Sequence, residues 1–187
     1  MTSDPPRVPL GRAQVIAWIV LRELAPYCDR IEIAGSIRRR KETVKDVEIL
    51  AVPKPGRTDL FGKVLSDALT DYLAPIAGHD SHPWRLRLDK NGRATLGPSN
   101  KLLLFDGFPI DVFTTTEMHW AMSLFVRTGP AEWNVKAMVQ FQRLGMRGHA
   151  YDGLTGVTRD GKDVPVADER DVFRLLDWPW AEPELRV

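Results

Sequence analysis

The alternation of apolar and polar positions divides the chain into elements. After Pro9, Ile16, Ile19, Val20, Glu23 and Leu24 recur at helical spacing and Pro26 stops the run, which predicts a helix over 11–24. The segment IEIAG (31–35) alternates into a short strand ending at Gly35. VEILAV (47–52), closed by Pro53 and Pro55, reads as a second, largely buried strand beside it. Leu60, Val64, Leu65, Ala68, Leu69 and Tyr72 predict a second amphipathic helix over 59–73, its stripe covering the sheet. Asn91-Gly92 and Asp106-Gly107 each sit between apolar runs and favour hairpins, since both residues tolerate positive φ. They place strands near 84–88, 93–97, 101–105 and 108–114. From Thr116 the pattern turns helical, over 118–126 and again over 131–145, with Thr128-Gly129-Pro130 between and Gly145 as the stop. A small hairpin within 153–166, a short helix over 168–176 and a Pro-rich end follow. The expected fold is α/β (α+β): residues 1–117 as a mixed sheet with two backing helices, residues 118–187 as a small helical and hairpin lobe.

Composition narrows the function. A chain of 187 residues can bury a real core as one domain or two small lobes. No stretch approaches the ~20 apolar residues of a spanning helix, and residues 1–9 lack the apolar core of a secretory signal. A cytoplasmic protein without a membrane partner is expected. The single cysteine, Cys28, excludes an internal disulfide, and four scattered histidines leave no Cys/His set for structural zinc. His79 and His82 lie in a Gly/Asp/Pro loop with no third ligand and read as surface residues. Any metal must therefore use carboxylates. With 26 basic and 25 acidic residues the net charge is +1, so nucleic-acid affinity must come from local patches.

One constellation stands out. Gly35-Ser36 ends a strand, where free N–H groups and the Ser36 hydroxyl can cup a phosphate, with Arg38 or Arg39 beside them. Asp46 and Glu48 follow ten residues on, two apart at the start of a strand, so their side chains leave one face. Asp111 lies in the alternating strand FPIDVF, where Ile110 and Val112 face the core and Asp111 the other side. If the two strands are adjacent, three carboxylates meet, repel, and raise one another's pKa values. Two Mg²⁺ ions would offset that charge and stabilise attacking and leaving oxygens in phosphoryl transfer. Singly, each feature has a plain alternative: a solvated Asp-x-Glu pair, a capping serine, a solvated basic loop. Arg85, Arg87, Lys90 and Arg93 surround Asn91-Gly92 and suit either phosphate contacts or a solvated hairpin tip. No Walker-type Gly-Lys loop is present.

The order Gly-Ser-x-Arg-Arg, then two carboxylates, resembles the nucleotidyltransferase palm of the family X DNA polymerases, those related to DNA polymerase beta. Arg7-Val8-Pro9 is similar to the start of that palm. Thr128-Gly129-Pro130 with Trp133-Asn134 is similar to the family's Thr-Gly-Ser turn and nucleotide-facing helix. The run from Gly153 to Trp178 is similar to the close of its nucleotide-selection lobe. The resemblance implies that Asp46 and Glu48 bridge two metals and that Asp111 holds the catalytic one nearest the primer 3′-hydroxyl. It implies a triphosphate held by Gly35, Ser36, Arg39 and Arg7, with Lys45, Arg127 and Gly129 nearby and Asn134 touching base or sugar. It also implies a cis peptide at Gly129-Pro130 and a monomer that fills gapped or nicked DNA in repair.

The chain departs from the pattern in four places. Glu48 stands where the family has aspartate, and an ångström of displacement costs ~10²-fold on proximity grounds, so slow activity or use of Mn²⁺ is expected. Lys45 replaces a small residue before the first metal ligand. Val126-Arg127 replaces an aromatic pair that screens the sugar 2′-position, so ribonucleotide use is open. No lyase domain or helix-hairpin-helix clamp precedes the palm, so weak processivity is expected. Two alternatives stay open: transfer to RNA, a small molecule or a protein, and a DNA-binding module whose metal site has decayed through Glu48.

Overall fold

The computed structural model describes residues 6–89, 91–149 and 153–186. In chain order, β1 (Val8–Pro9) leads into α1 (Leu10–Leu24), β2 (Cys28–Ile33), α2 (Gly35–Arg38), β3 (Thr43–Val44), β4 (Val47–Pro53) and α3 (Ala68–Ile76). The antiparallel run β5 (Trp84–Leu86), β6 (Asn100–Phe105) and β7 (Phe108–Thr114) follows. The second part holds α4 (Trp120–Thr128), α5 (Ala131–Arg143), β8 (Met146–Gly148), β9 (Val157–Arg159), β10 (Lys162–Asp163) and α6 (Glu169–Leu175). The fold is α+β.

The main sheet has the order β2-β4-β7-β6-β5, with β4 and β7 parallel and the other pairs antiparallel. On one face Val47, Ile49, Ala51, Leu103, Ile110 and Val112 pack against Ala13, Ala17, Val20 and Leu24 of α1 and Leu69 and Leu73 of α3. These are the two backing helices. On the other face Leu50, Val52 and Phe113 receive Trp120 and Leu124 of α4. The opposite side of α4 gives Ala121, Met122, Phe125 and Val126 to a second core with Phe141, Val157, Val172 and Phe173. No described helix is long and apolar enough to cross a membrane.

Several expectations need correction. No helix covers 59–67. Thr58 and Val64 pair across a tight turn in which the Asp59 carboxylate accepts from the Phe61 and Lys63 N–H groups at 2.9 Å, with Gly62 at φ +79°. This local side-chain bonding outcompetes the helix, and Leu60 and Phe61 are left almost wholly exposed. The helix starts only where Asp67 caps it, accepting from Thr70 N–H at 2.8 Å. Asp67 also pairs at 3.0 Å with Lys101, a fully buried lysine on the core face of β6 that periodicity could not flag. Residues 93–97 make only isolated bridges, because the Asp89 carboxylate holds the N–H groups of Asn91 and Arg93 and turns the chain. The helix expected over 118–126 runs from Trp120 to Thr128 behind His119.

The cis peptide is also absent: no cis bond occurs among the described residues. Pro130, at φ −67° and ψ 161°, is the extended residue ahead of α5, and Gly129 N–H closes α4 onto Phe125 O at 3.0 Å. An ordinary trans turn already separates the helices, and trans is favoured by about 0.5–1 kcal/mol even before proline.

Candidate active site

Glu48 of β4 and Asp111 of β7 are direct partners in the parallel register. Period-two alternation sends Val47 and Ile49 to the helix-backed core and Glu48 to the opposite face, where Asp111 joins it. Asp46 lies two residues before Glu48, at the entry to the strand, and its charge raises the pKa values of both Glu48 and Asp111. Burial is the main cause that pushes Glu48 up to about 7; Asp46 and Asp111 add to it, and Arg127 and Arg39 oppose it. Burial likewise lifts Asp111, against the neighbouring Arg87. The sheet thus brings Asp111, distant in sequence, beside Glu48 and within electrostatic reach of Asp46. Among the described residues, however, no three His, Cys, Asp or Glu side chains are gathered as a ready metal cage.

This electrostatic strain has a measurable consequence. Between about pH 4.5 and about pH 7 the folded chain keeps the Glu48 proton that the unfolded chain has lost. The folded state then binds more protons, so stability falls as pH rises through that window. Glu48→Gln is expected to flatten the decline and raise the melting temperature at roughly pH 8, read by thermal unfolding across the pH range.

Gly35 opens α2 with φ +60°, and a Cβ there would overlap the Glu48 carboxylate. The longer side chain at position 48 is thus accommodated against a bare glycine. Gly35→Ala is expected to cost about 1–2 kcal/mol for the left-handed backbone alone, plus displacement of Glu48, measured by urea unfolding. Around this turn Arg7, Ser36, Arg39, Arg40, Lys41 and Lys45 line a cavity of about 840 Å³ together with Asp46 and Glu48. Four of the expected triphosphate ligands, Arg7, Ser36, Arg39 and Lys45, are therefore assembled beside two of the carboxylates. Burial lowers the Arg39 pKa while Glu48 and Asp46 favour its charge. Its Nη1 donates to Thr128 O, and its Nε is buried without a hydrogen-bond partner. Arg7 donates to Thr43 O at 3.3 Å, beside the β1–β3 pairing.

Arg127, Gly129 and Asn134 do not line this cavity. Arg127 stacks over the Phe113 ring, 3.4 Å from its centroid, and lines a separate cleft of about 1010 Å³ with Leu50, Asn100 and Thr114. Asn134 does not line the Ser36–Arg39 cavity: its Nδ2 donates to Val126 O at 2.8 Å, holding α5 against the end of α4. Gly129 is packed tightly enough that a Cβ would meet Asn134 and Trp133.

The basic hairpin divides too. Arg85 donates to the carbonyls of His79, His82 and Trp84 and organises that loop. Arg93 sits in the turn held by Asp89. Lys90 lies outside the described residues. Arg87 crosses the sheet instead: its N–H donates to Leu102 O, Leu102 is the register partner of Asp111, and its Nη2 donates to the Asp111 carboxylate. Its partner depends on strand order.

The sheet-bearing part of the chain and the second lobe are tied by charge. Arg38 of α2 makes a bidentate pair with Glu169 of α6 at 2.9 and 3.0 Å and donates to Thr128 Oγ1 at 2.5 Å. Glu169 also takes Arg186 at 2.5 Å, and Arg186 is fully buried below the Phe173 and Trp180 rings. No sequence signal marked this triad, since Arg186 lies in a short Pro-rich tail. Trp178 packs on Trp133 at 5.2 Å and Trp180 on Phe173 at 4.9 Å, so both serve the core of the second lobe.

Residues 124–187 match the family model described as DNA polymerase beta thumb. The second lobe is similar to that thumb. The match covers most of α4, all of α5 and α6, and the hairpin between them. It relates this thumb-like lobe to the family X polymerases; the sheet that carries the carboxylates lies outside it.

Proposed function

We propose that the chain is a metal-dependent nucleotidyltransferase of the family X kind, with residues 1–117 as palm and 118–187 as thumb-like lobe. In this reading it adds nucleotides to a primer 3′-hydroxyl in gapped or nicked DNA, as a repair polymerase acting as a monomer in the cytoplasm. The observation that carries this reading is the parallel register pairing of Glu48 with Asp111 beside Asp46, next to a cavity that Ser36, Arg39, Arg7 and Lys45 line together with carboxylates, and joined to a thumb-like lobe.

The donor set fits a divalent cation in its chemistry: three carboxylates on one face, two of them raised by burial and mutual repulsion. Asp46, Glu48 and Asp111 would hold two Mg²⁺ ions, with Mn²⁺ as the alternative. Bound there, such ions supply charge neutralisation for the attacking and leaving oxygens of phosphoryl transfer. Ser36, Arg39, Arg7 and Lys45 hold the triphosphate of the incoming nucleotide. Asp111, whose raised pKa suits a base, receives the proton of the primer O3′. Arg85 and Arg93 offer charge to the DNA backbone.

The test is nucleotide incorporation, with deoxyribo- and ribonucleoside triphosphates, on gapped DNA and on single-stranded RNA in Mg²⁺ and in Mn²⁺. Incorporation on gapped DNA is expected. Addition to RNA alone would move the acceptor, and DNA binding without any incorporation would leave a non-catalytic module.

A further inference from the structure

From the Arg87–Asp111 pair we infer that Arg87 is a positioning residue that occupies Asp111 in the DNA-free protein and surrenders it when a primer phosphate takes the guanidinium. The inference rests on the nucleotidyltransferase reading and adds to it a coupling between DNA and the carboxylate site.

The geometry is set by a cross-strand row. Glu48, Asp111 and Leu102 are successive register partners on β4, β7 and β6, and the Arg87 N–H donates to Leu102 O at 3.0 Å at the far end of the row. All four lie on the face opposite the helix-backed core. Arg87 must span two strand spacings, roughly 9–10 Å between Cα positions, and of the side chains only one as long as arginine or lysine bridges that distance. Its Nη2 reaches Asp111, the pair is partly buried on both sides, and Arg87 Nε is buried with no hydrogen-bond partner. The guanidinium is thus under-satisfied where it rests, with donors to spare for a second acceptor.

Two demands compete for Asp111. While the guanidinium is bonded to it, its oxygens are shared with a cation that belongs to the protein. A primer phosphate offers arginine the same bidentate geometry as a carboxylate, and it arrives on the face where Asp111 acts while the divalent cation competes for the Asp111 oxygens. Transfer of the guanidinium to phosphate restores the full acceptor capacity of Asp111 at the moment the acceptor strand is in place. By linkage, DNA and divalent cation then each raise the other's affinity by the same factor.

Three binding measurements on the full chain test this without turnover. In EDTA, Arg87→Gln is expected to weaken binding of a gapped primer-template and to lower the salt slope by about one, while Asp111→Asn, which frees the guanidinium, strengthens binding several-fold. By Mn²⁺ paramagnetic resonance, DNA is expected to raise the Mn²⁺ affinity of the wild type by about tenfold, a size typical of coupled sites. Arg87→Gln should show the higher affinity without DNA and no further gain with it. Equal Mn²⁺ affinities in wild type and Arg87→Gln, or a DNA effect that survives the substitution, would overturn the inference while leaving the transferase reading intact. A wild type that binds neither Mn²⁺ nor DNA would remove both.

Discussion

Asp111→Asn is expected to lower the rate of nucleotide incorporation on the order of 10³-fold, the scale set by loss of a positioned general base. The substitution keeps shape and removes one negative charge, so the protein should fold. Asp111 is paired in register with Glu48 and contributes to the rise of its pKa. Neutralising it removes part of that repulsion, and the pH window over which stability falls should narrow from its upper end. Two readouts therefore move in opposite directions: single-turnover incorporation collapses while stability near neutral pH holds or rises. A variant with near wild-type incorporation would show that Asp111 takes no part in the chemistry. A variant that merely unfolds would show that its pairing with Arg87 outweighs the carboxylate repulsion.

Glu169→Ala should be the most destabilising single substitution considered. Arg186 is fully buried and pairs with Glu169 at 2.5 Å, and Arg38 leans on the same carboxylate through two further hydrogen bonds. Its removal strands one arginine in the core beside Phe173 and Trp180, where Nη2 already has no hydrogen-bond partner. Breaking one member of a buried ion pair costs about 3–5 kcal/mol, which for a chain of this size lowers the melting temperature on the order of 10 °C. The double variant Glu169→Leu/Arg186→Met should recover much of the loss, because apolar replacement removes the desolvation penalty along with the attraction. Thermal unfolding of the three proteins decides it. If Glu169→Ala melts with the wild type, the triad contributes nothing to stability. Arg38 is also three residues from Gly35, so loosening this tie is expected to raise the KM for the triphosphate in the incorporation assay.

Much of the framework was legible in sequence where one face of an element is buried. The β4 and β7 patterns identified their strands and the outward face of Glu48 and Asp111, because a one-residue slip would have turned Ile49 and Val112 to solvent. Asp106-Gly107 announced the β6–β7 turn, and both residues adopt positive φ, at 48° and 78°. Periodicity failed at 59–67, where apolar residues at helical spacing sit on a turn held by the Asp59 side chain. An apolar pattern predicts which residues would share a face of a helix, but not whether a short-range hydrogen bond wins first. The prediction of a cis bond failed because it came from resemblance rather than from any local force.

The site was legible in its members more than in its contacts. Asp46, Glu48, Ser36 and Arg39 are close in sequence, and a strand-turn unit of local contacts suffices to gather them around one cavity. The hydrogen bond from Asn134 to the Val126 carbonyl, one helix away, had no sequence signal. For Arg87 the hairpin signal left phosphate contact and solvated tip equally open, and nothing local pointed to Asp111.

By itself the sequence determined which residues could carry charge on one face, where turns fall, and that any metal must rest on carboxylates. Tertiary structure alone decided which charges meet: strand order set Arg87 against Asp111, and the folding of the tail under α6 set Arg186 against Glu169. The physical reason is range. Backbone periodicity and side-chain capping act over a few residues, whereas a charge pairs with whatever the packed core brings within a few ångströms, and that choice is made by burial summed over the whole chain.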